Sequence, residues 1–145
     1  YLSEYLESHR DAYYDRLGAV SMSKDWEGWI EFFLTAIIEQ AKVNTGKARR
    51  ILDLYGTKKT KVADLTRSQY SIRAVDTLFM IPIFSSTSFV RRSEIPTASA
   101  RRILHVLADN NVLNVLRPRA GSQPAYYIFS KLIAITEGRD TEEQE

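Results

Sequence analysis

The chain has 145 residues, 44% of them apolar, and a net charge of +2; that suffices for one domain, or for two small ones sharing an interface. It holds no cysteine, which excludes disulfides, thiolate zinc sites and a cysteine nucleophile, so the fold must rest on buried apolar area. No stretch approaches the ~20 consecutive apolar residues of a membrane span, and the opening Tyr1-Leu2-Ser3-Glu4 has the character of neither a signal peptide nor a natural start, so the chain is expected to be a cytoplasmic piece of something longer.

Ser3 can cap a first helix that runs to about Ala19, with Tyr5, Leu6, Tyr13, Tyr14 and Leu17 on or near one side. Gly18 and Ser21-Met22-Ser23-Lys24 weaken and end it. Asp25 caps the next helix, and Glu27 in its first turn suits the helix dipole. Trp26, Trp29, Ile30, Phe33, Leu34, Ile37, Ile38 and Ala41 form a face broad enough for two neighbours. Helical spacing resumes past Asn44-Thr45-Gly46 with Ala48, Ile51, Leu52 and Tyr55. Gly56 and Lys58-Lys59-Thr60-Lys61 are expected to end this helical half, and residues 66–71 to form a boundary.

Beyond it, Arg73 to Ile81 reads as a helix with Ala74, Val75, Leu78 and Phe79 inward, stopped by Pro82. Ser86-Thr87-Ser88 introduces a short helix with Phe89 and Val90, and Ile95-Pro96 makes a turn. Thr97 is the expected N-cap of a helix in which Ala100, Ile103, Leu104 and Leu107 build one buried stripe. Ala98, Arg102, His105 and Asp109 point the other way, and Asn110-Asn111 ends the helix. Val112 to Leu116 is strand-like. It opens a hairpin from Leu113 to Arg117, through a Pro118–Pro124 loop, to Ala125–Phe129. Leu132, Ile133 and Ile135 suggest a closing helix. A short helix, a polar turn and a hairpin together read as a winged helix-turn-helix, whose second helix is shaped for a DNA major groove.

Charge is unevenly spread. Residues 1–66 hold ten basic and ten acidic side chains, whereas residues 67–131 hold nine basic against three acidic. Eight of those nine are Arg, the side chain best suited to phosphate and guanine. The last stretch is acidic and polar, and 137–145 is expected to be a disordered tail.

The first half resembles one family on specific residues. Leu2-Ser3-x-Tyr5, Arg10-Asp11-x-Tyr13-Tyr14-x-x-Leu17, Val20 and Asp25-Trp26-Glu27-Gly28-Trp29-Ile30-x-Phe32-Phe33-Leu34 resemble the segment that follows the catalytic loop in Fic (filamentation-induced-by-cAMP) proteins. The match extends to about residue 55, and many such proteins continue into a C-terminal winged helix. The resemblance implies a mostly α fold, with residues 1–66 as the helical C-terminal part of a Fic domain and residues 67–136 as a winged helix with a small hairpin wing. It further implies a bacterial parent that transfers AMP from ATP, with magnesium, to hydroxyls of a protein substrate. The family's H-P-F-x-x-G-N-G-R motif is absent: His9 is followed by Arg10-Asp11, and His105 by Val106-Leu107. No catalytic residue and no cofactor is therefore assigned to this chain. Ser23, Glu27 and Gly28 fit the letters of the family's inhibitory motif, S/T-x-x-x-E-G/N, but fall at a helix start where Glu27 serves the dipole.

Two isolated histidines without clustered carboxylates do not make a metal site. His9 reads as a surface side chain, the Trp26/Trp29 pair as a helix-packing seam, and the Lys58 run as a solvated connection. The DNA-facing candidates come from three elements: Arg91 and Arg92 before the turn; Ser99, Arg101, Arg102 and His105 on the Thr97 helix; and Arg117, Arg119 and Gln123 on the wing. Groove-facing arginines there would meet phosphate or guanine in duplex DNA, as expected of a transcription regulator. The alternative is an interaction or dimerisation module, a homodimer included, that positions the Fic core or recruits its target; the outward Asp109 and Val106 lean that way.

Overall fold

The computed structural model describes residues 2–139; most of the expected tail, residues 140–145, lies outside the described residues. The chain separates into two compact units, divided between Ala48 and Arg49.

In the first unit the single helix expected through Ala19 is two: α1 (Leu2–Ser8) and α2 (Arg10–Ser23). The break falls at His9, whose ring stacks on Tyr5 at 4.0 Å. The Ser8 hydroxyl and His9 Nδ1 both reach the Tyr5 carbonyl, at 2.9 and 3.0 Å, so side chains compete with the backbone ladder for one acceptor. Lys24, at φ 59°, closes α2 in the left-handed region. Asp25 then caps α3 (Trp26–Thr66) as expected, its Oδ1 accepting from the Gly28 amide at 3.0 Å. A Cβ on Gly28 would stand 2.5 Å from Asp25 Oδ2 and 2.6 Å from the Arg16 guanidinium. The cap therefore requires glycine there, a tertiary reason for the Glu27-Gly28 pair. Trp29 packs against Tyr13 at 5.6 Å, and Phe32 against Tyr5 at 6.2 Å. The stripe of Trp26, Ile30, Leu34, Ile37 and Ile38 stays 46–60% exposed.

α3 is 41 residues long and does not stop at Gly56 or at the lysine run. Ile51, Tyr55, Lys58, Val62 and Leu65 recur at alternating spacings of four and three, and all but Lys58 pack in the core of the second unit. Burial of that stripe outweighs the ~1 kcal/mol that a helical glycine costs. Lys58 is only 6% exposed, not the solvated connection its neighbours suggest. Burial, and then the nearby charges of Lys131 and Lys61, lower its pKa.

The second unit continues with α4 (Ser71–Met80), where Ala74, Val75 and Leu78 are buried as their spacing predicts. After Pro82 a three-residue strand, β1 (Ile83–Ser85), precedes α5 (Ser86–Ser93). Ser85 and Ser88 cap α5 reciprocally: each backbone amide donates to the other's hydroxyl at 3.1 Å. α6 (Thr97–Asp109) begins one residue earlier than expected. Pro96, not Thr97, occupies the N-cap, its carbonyl accepting from the Ala100 amide at 2.9 Å. Ala100, Ile103, Leu104 and Leu107 are buried. The amides of Val112 and Leu113 return to the Leu107 carbonyl at 2.8 and 3.2 Å, so these two residues plug the core and the strand β2 (Asn114–Arg117) starts after them.

β2 pairs antiparallel with β3 (Tyr126–Ile128), with Val115 opposite Tyr127 and an irregularity between Val115 and Arg117. β3 also pairs with β1, giving the sheet order β1-β3-β2. α7 (Ser130–Thr136) closes the unit by burying Leu132 and Ile135. Phe79 makes edge contacts with Tyr55 at 5.2 Å and Phe129 at 5.4 Å, joining α3, α4 and the end of the hairpin in one core. The architecture is mostly helical with one small antiparallel sheet. Among the described residues no helix is long and apolar enough to cross a membrane.

Candidate nucleic-acid interface

Burying one stripe of α6 turns its opposite face to solvent. Arg101, His105 and Asp109 share that face at four-residue spacing and are all exposed. The hairpin rises beside it, because Val112 and Leu113 are pinned to Leu107 and the chain must climb into β2 from there. Between α6 and the hairpin lies a cleft of about 240 Å³. Arg101, His105 and Asp109 line it from the helix, Arg119 and Pro118 from the loop after β2, Val115 and Tyr127 from the sheet, and Ser86 from the start of α5.

Of the candidates named from the sequence, the cleft gathers Arg101, His105 and Arg119. Arg119 Nε donates to the Gly121 carbonyl at 3.5 Å, an interaction inside a tight loop closed by Ala120 and Gln123 and turned by Gly121 at φ 57°. Gln123 thus shapes the loop tip through its backbone. Arg117 lies over the Tyr126 ring, 4.6 Å from its centroid, on the hairpin. Arg91 and Arg92 end α5, at the opposite end of that helix from Ser86, where cations suit the helix dipole. Ser99 sits half-buried in the first turn of α6.

Arg102 behaves differently from its neighbour. Its guanidinium donates to the Thr66 carbonyl at 3.2 Å, one of the four carbonyls that the end of α3 leaves without a helical partner. One of two adjacent arginines therefore ties α6 to α3, while the other projects into the cleft.

Ser86 and Tyr127 also line the cleft, and no spacing rule links them in sequence. Tyr127 could be found only through the register that sets it opposite Val115. Burial, and then the Asp109 carboxylate, push the Tyr127 pKa up. Among the described residues no three His, Asp or Glu side chains cluster to hold a metal. No family model matches the chain.

Proposed function

We propose that residues 67–136 form a winged helix that binds duplex DNA, with α6 as the groove helix and the β2–β3 hairpin as the wing. The observation that carries this reading is the pairing of an exposed Arg101/His105 face on α6 with Arg119 on the loop of the adjacent hairpin. The element order α4–β1–α5–α6–β2–β3 and the sheet order β1-β3-β2 support it. Binding is mainly phosphate neutralisation, with limited base reading from the first turns of α6. In this role the protein acts as a transcription regulator.

The resemblance of the first half to the Fic family supports an AMP-transferring parent for this regulator. The exposed apolar stripe Trp26-Ile30-Leu34-Ile37 supports a helical surface that completes a larger core. The gene segment preceding the codon for Tyr1 tests that part: it should encode the His-Pro-Phe motif.

Fluorescence anisotropy with a labelled ~20-bp duplex at ~50 mM salt tests DNA binding. Arg101→Ala and Arg119→Ala should each weaken binding, and each lost phosphate contact should reduce the salt slope by about one. Absence of duplex binding at that salt concentration ends the reading.

A further inference from the structure

The cleft between α6 and the hairpin has a composition that phosphate contact alone does not require. Its floor, the buried Leu104, Ala125 and Tyr127, is largely apolar, and Ala108, Val115 and Pro118 add apolar lining. Its rim carries Arg101, His105 and Arg119 against a single carboxylate, Asp109. Neither arginine is ion-paired among the described residues. A volume of about 240 Å³ lies below the roughly 300–1,000 Å³ of pockets for drug-sized ligands, so the occupant is small. A helix face and a hairpin face bound it, a shape that suits one or two flat rings. An apolar body with an anionic head satisfies both halves of this lining, and a bare inorganic anion would leave the floor unused.

We propose that this cleft is a binding site for a small aromatic carboxylate, its rings against Leu104, Val115 and Tyr127 and its carboxylate held by Arg101 and Arg119. Ser86 and Tyr127 complete the polar side of the lining. The occupant neutralises the cations that the proposed DNA contact uses, so it competes with duplex; this consequence, unlike the binding itself, rests on the DNA reading.

The test is a titration of the full ¹⁵N-labelled chain with 2-naphthoate, followed by amide chemical shifts and without DNA present. Its failure is therefore distinct from a failure of duplex binding. Saturable shifts are expected at Ala108, Val115 and Ala125, with residues 2–48 unmoved. Arg119→Ala, in an exposed loop, and Arg101→Ala should each weaken binding about tenfold, the effect of losing one charge-assisted hydrogen bond that water partly replaces. Neutral 2-naphthamide should bind at least tenfold more weakly than the acid. Shifts confined to the exposed Trp26–Ile38 stripe, or equal affinity of acid and amide, overturn the proposal, as does unchanged affinity in both arginine variants.

Discussion

The adjacent pair Arg101 and Arg102 should separate a structural role from a binding role. Arg102→Ala removes the donor to the Thr66 carbonyl. Thr66 is 2% exposed, so water replaces that donor poorly, and a stranded buried acceptor costs about 1–3 kcal/mol. Arg102 itself is exposed, so part of the hydrogen bond's worth is already lost to solvent. The loss should then fall near the lower half of the range, about 1–2 kcal/mol. Native-state hydrogen exchange, read at the slowest amides of Leu104 and Leu107, measures it within the second unit. Exchange there should accelerate roughly 5- to 30-fold, since ~1.4 kcal/mol is a factor of ten. Arg101→Ala breaks no hydrogen bond or ion pair among the described residues, so exchange should stay within about 0.5 kcal/mol of the parent chain while duplex affinity falls. Equal exchange in both variants, or an Arg102→Ala effect under ~0.5 kcal/mol, would refute the assignment of Arg102 to the end of α3.

Other substitutions probe the helices and the core. Nothing lies within 4 Å of a Cβ built on Gly46 or Gly56, so Gly→Ala at either should stabilise by up to ~1 kcal/mol in urea unfolding. Gly28→Ala should gain nothing, because the new methyl displaces the Asp25 carboxylate from its cap. Leu107, fully buried under α6, should cost about 2–5 kcal/mol as Leu107→Ala, enough to leave the second unit largely unfolded if its stability is at the low end of the common range. Lys58 gives a pH prediction. Its pKa is lowered from 10.5, so between the folded and unfolded values the unfolded chain binds more protons, and its contribution to stability rises with pH up to about 10.5. Lys58→Met should remove that rise and be neutral or stabilising at pH 7. A stability difference between the two proteins that does not shrink as pH increases would contradict it.

Local chemistry carries clear marks where a short-range rule acts alone. The Asp25 cap is such a case, as is the stripe of Ala100, Ile103, Leu104 and Leu107, because a side chain three or four positions away decides the outcome. The hairpin after Asn111 belongs here too, its loop marked by Pro118, Gly121 and Pro124. Arg101, His105 and Arg119 were recognisable as polar surface side chains on neighbouring elements for the same reason. Other features depend on partners distant in sequence. Lys58 lies in a charged run, and only the packing of α3 buries it. Arg102 is indistinguishable from Arg101 until Thr66, 36 residues earlier, comes within hydrogen-bond reach. The strand β1 is three residues long and exists because β3 offers it a free edge. Helical periodicity and turn residues, set by backbone geometry over a few residues, thus determined the helices and hairpin of the second unit and the side each buries, but not the break at His9, the run of α3 past Gly56 or strand β1. Tertiary packing alone decided which of the outward groups are spoken for and which remain open around the cleft, because contacts between residues far apart in the chain have no local signature.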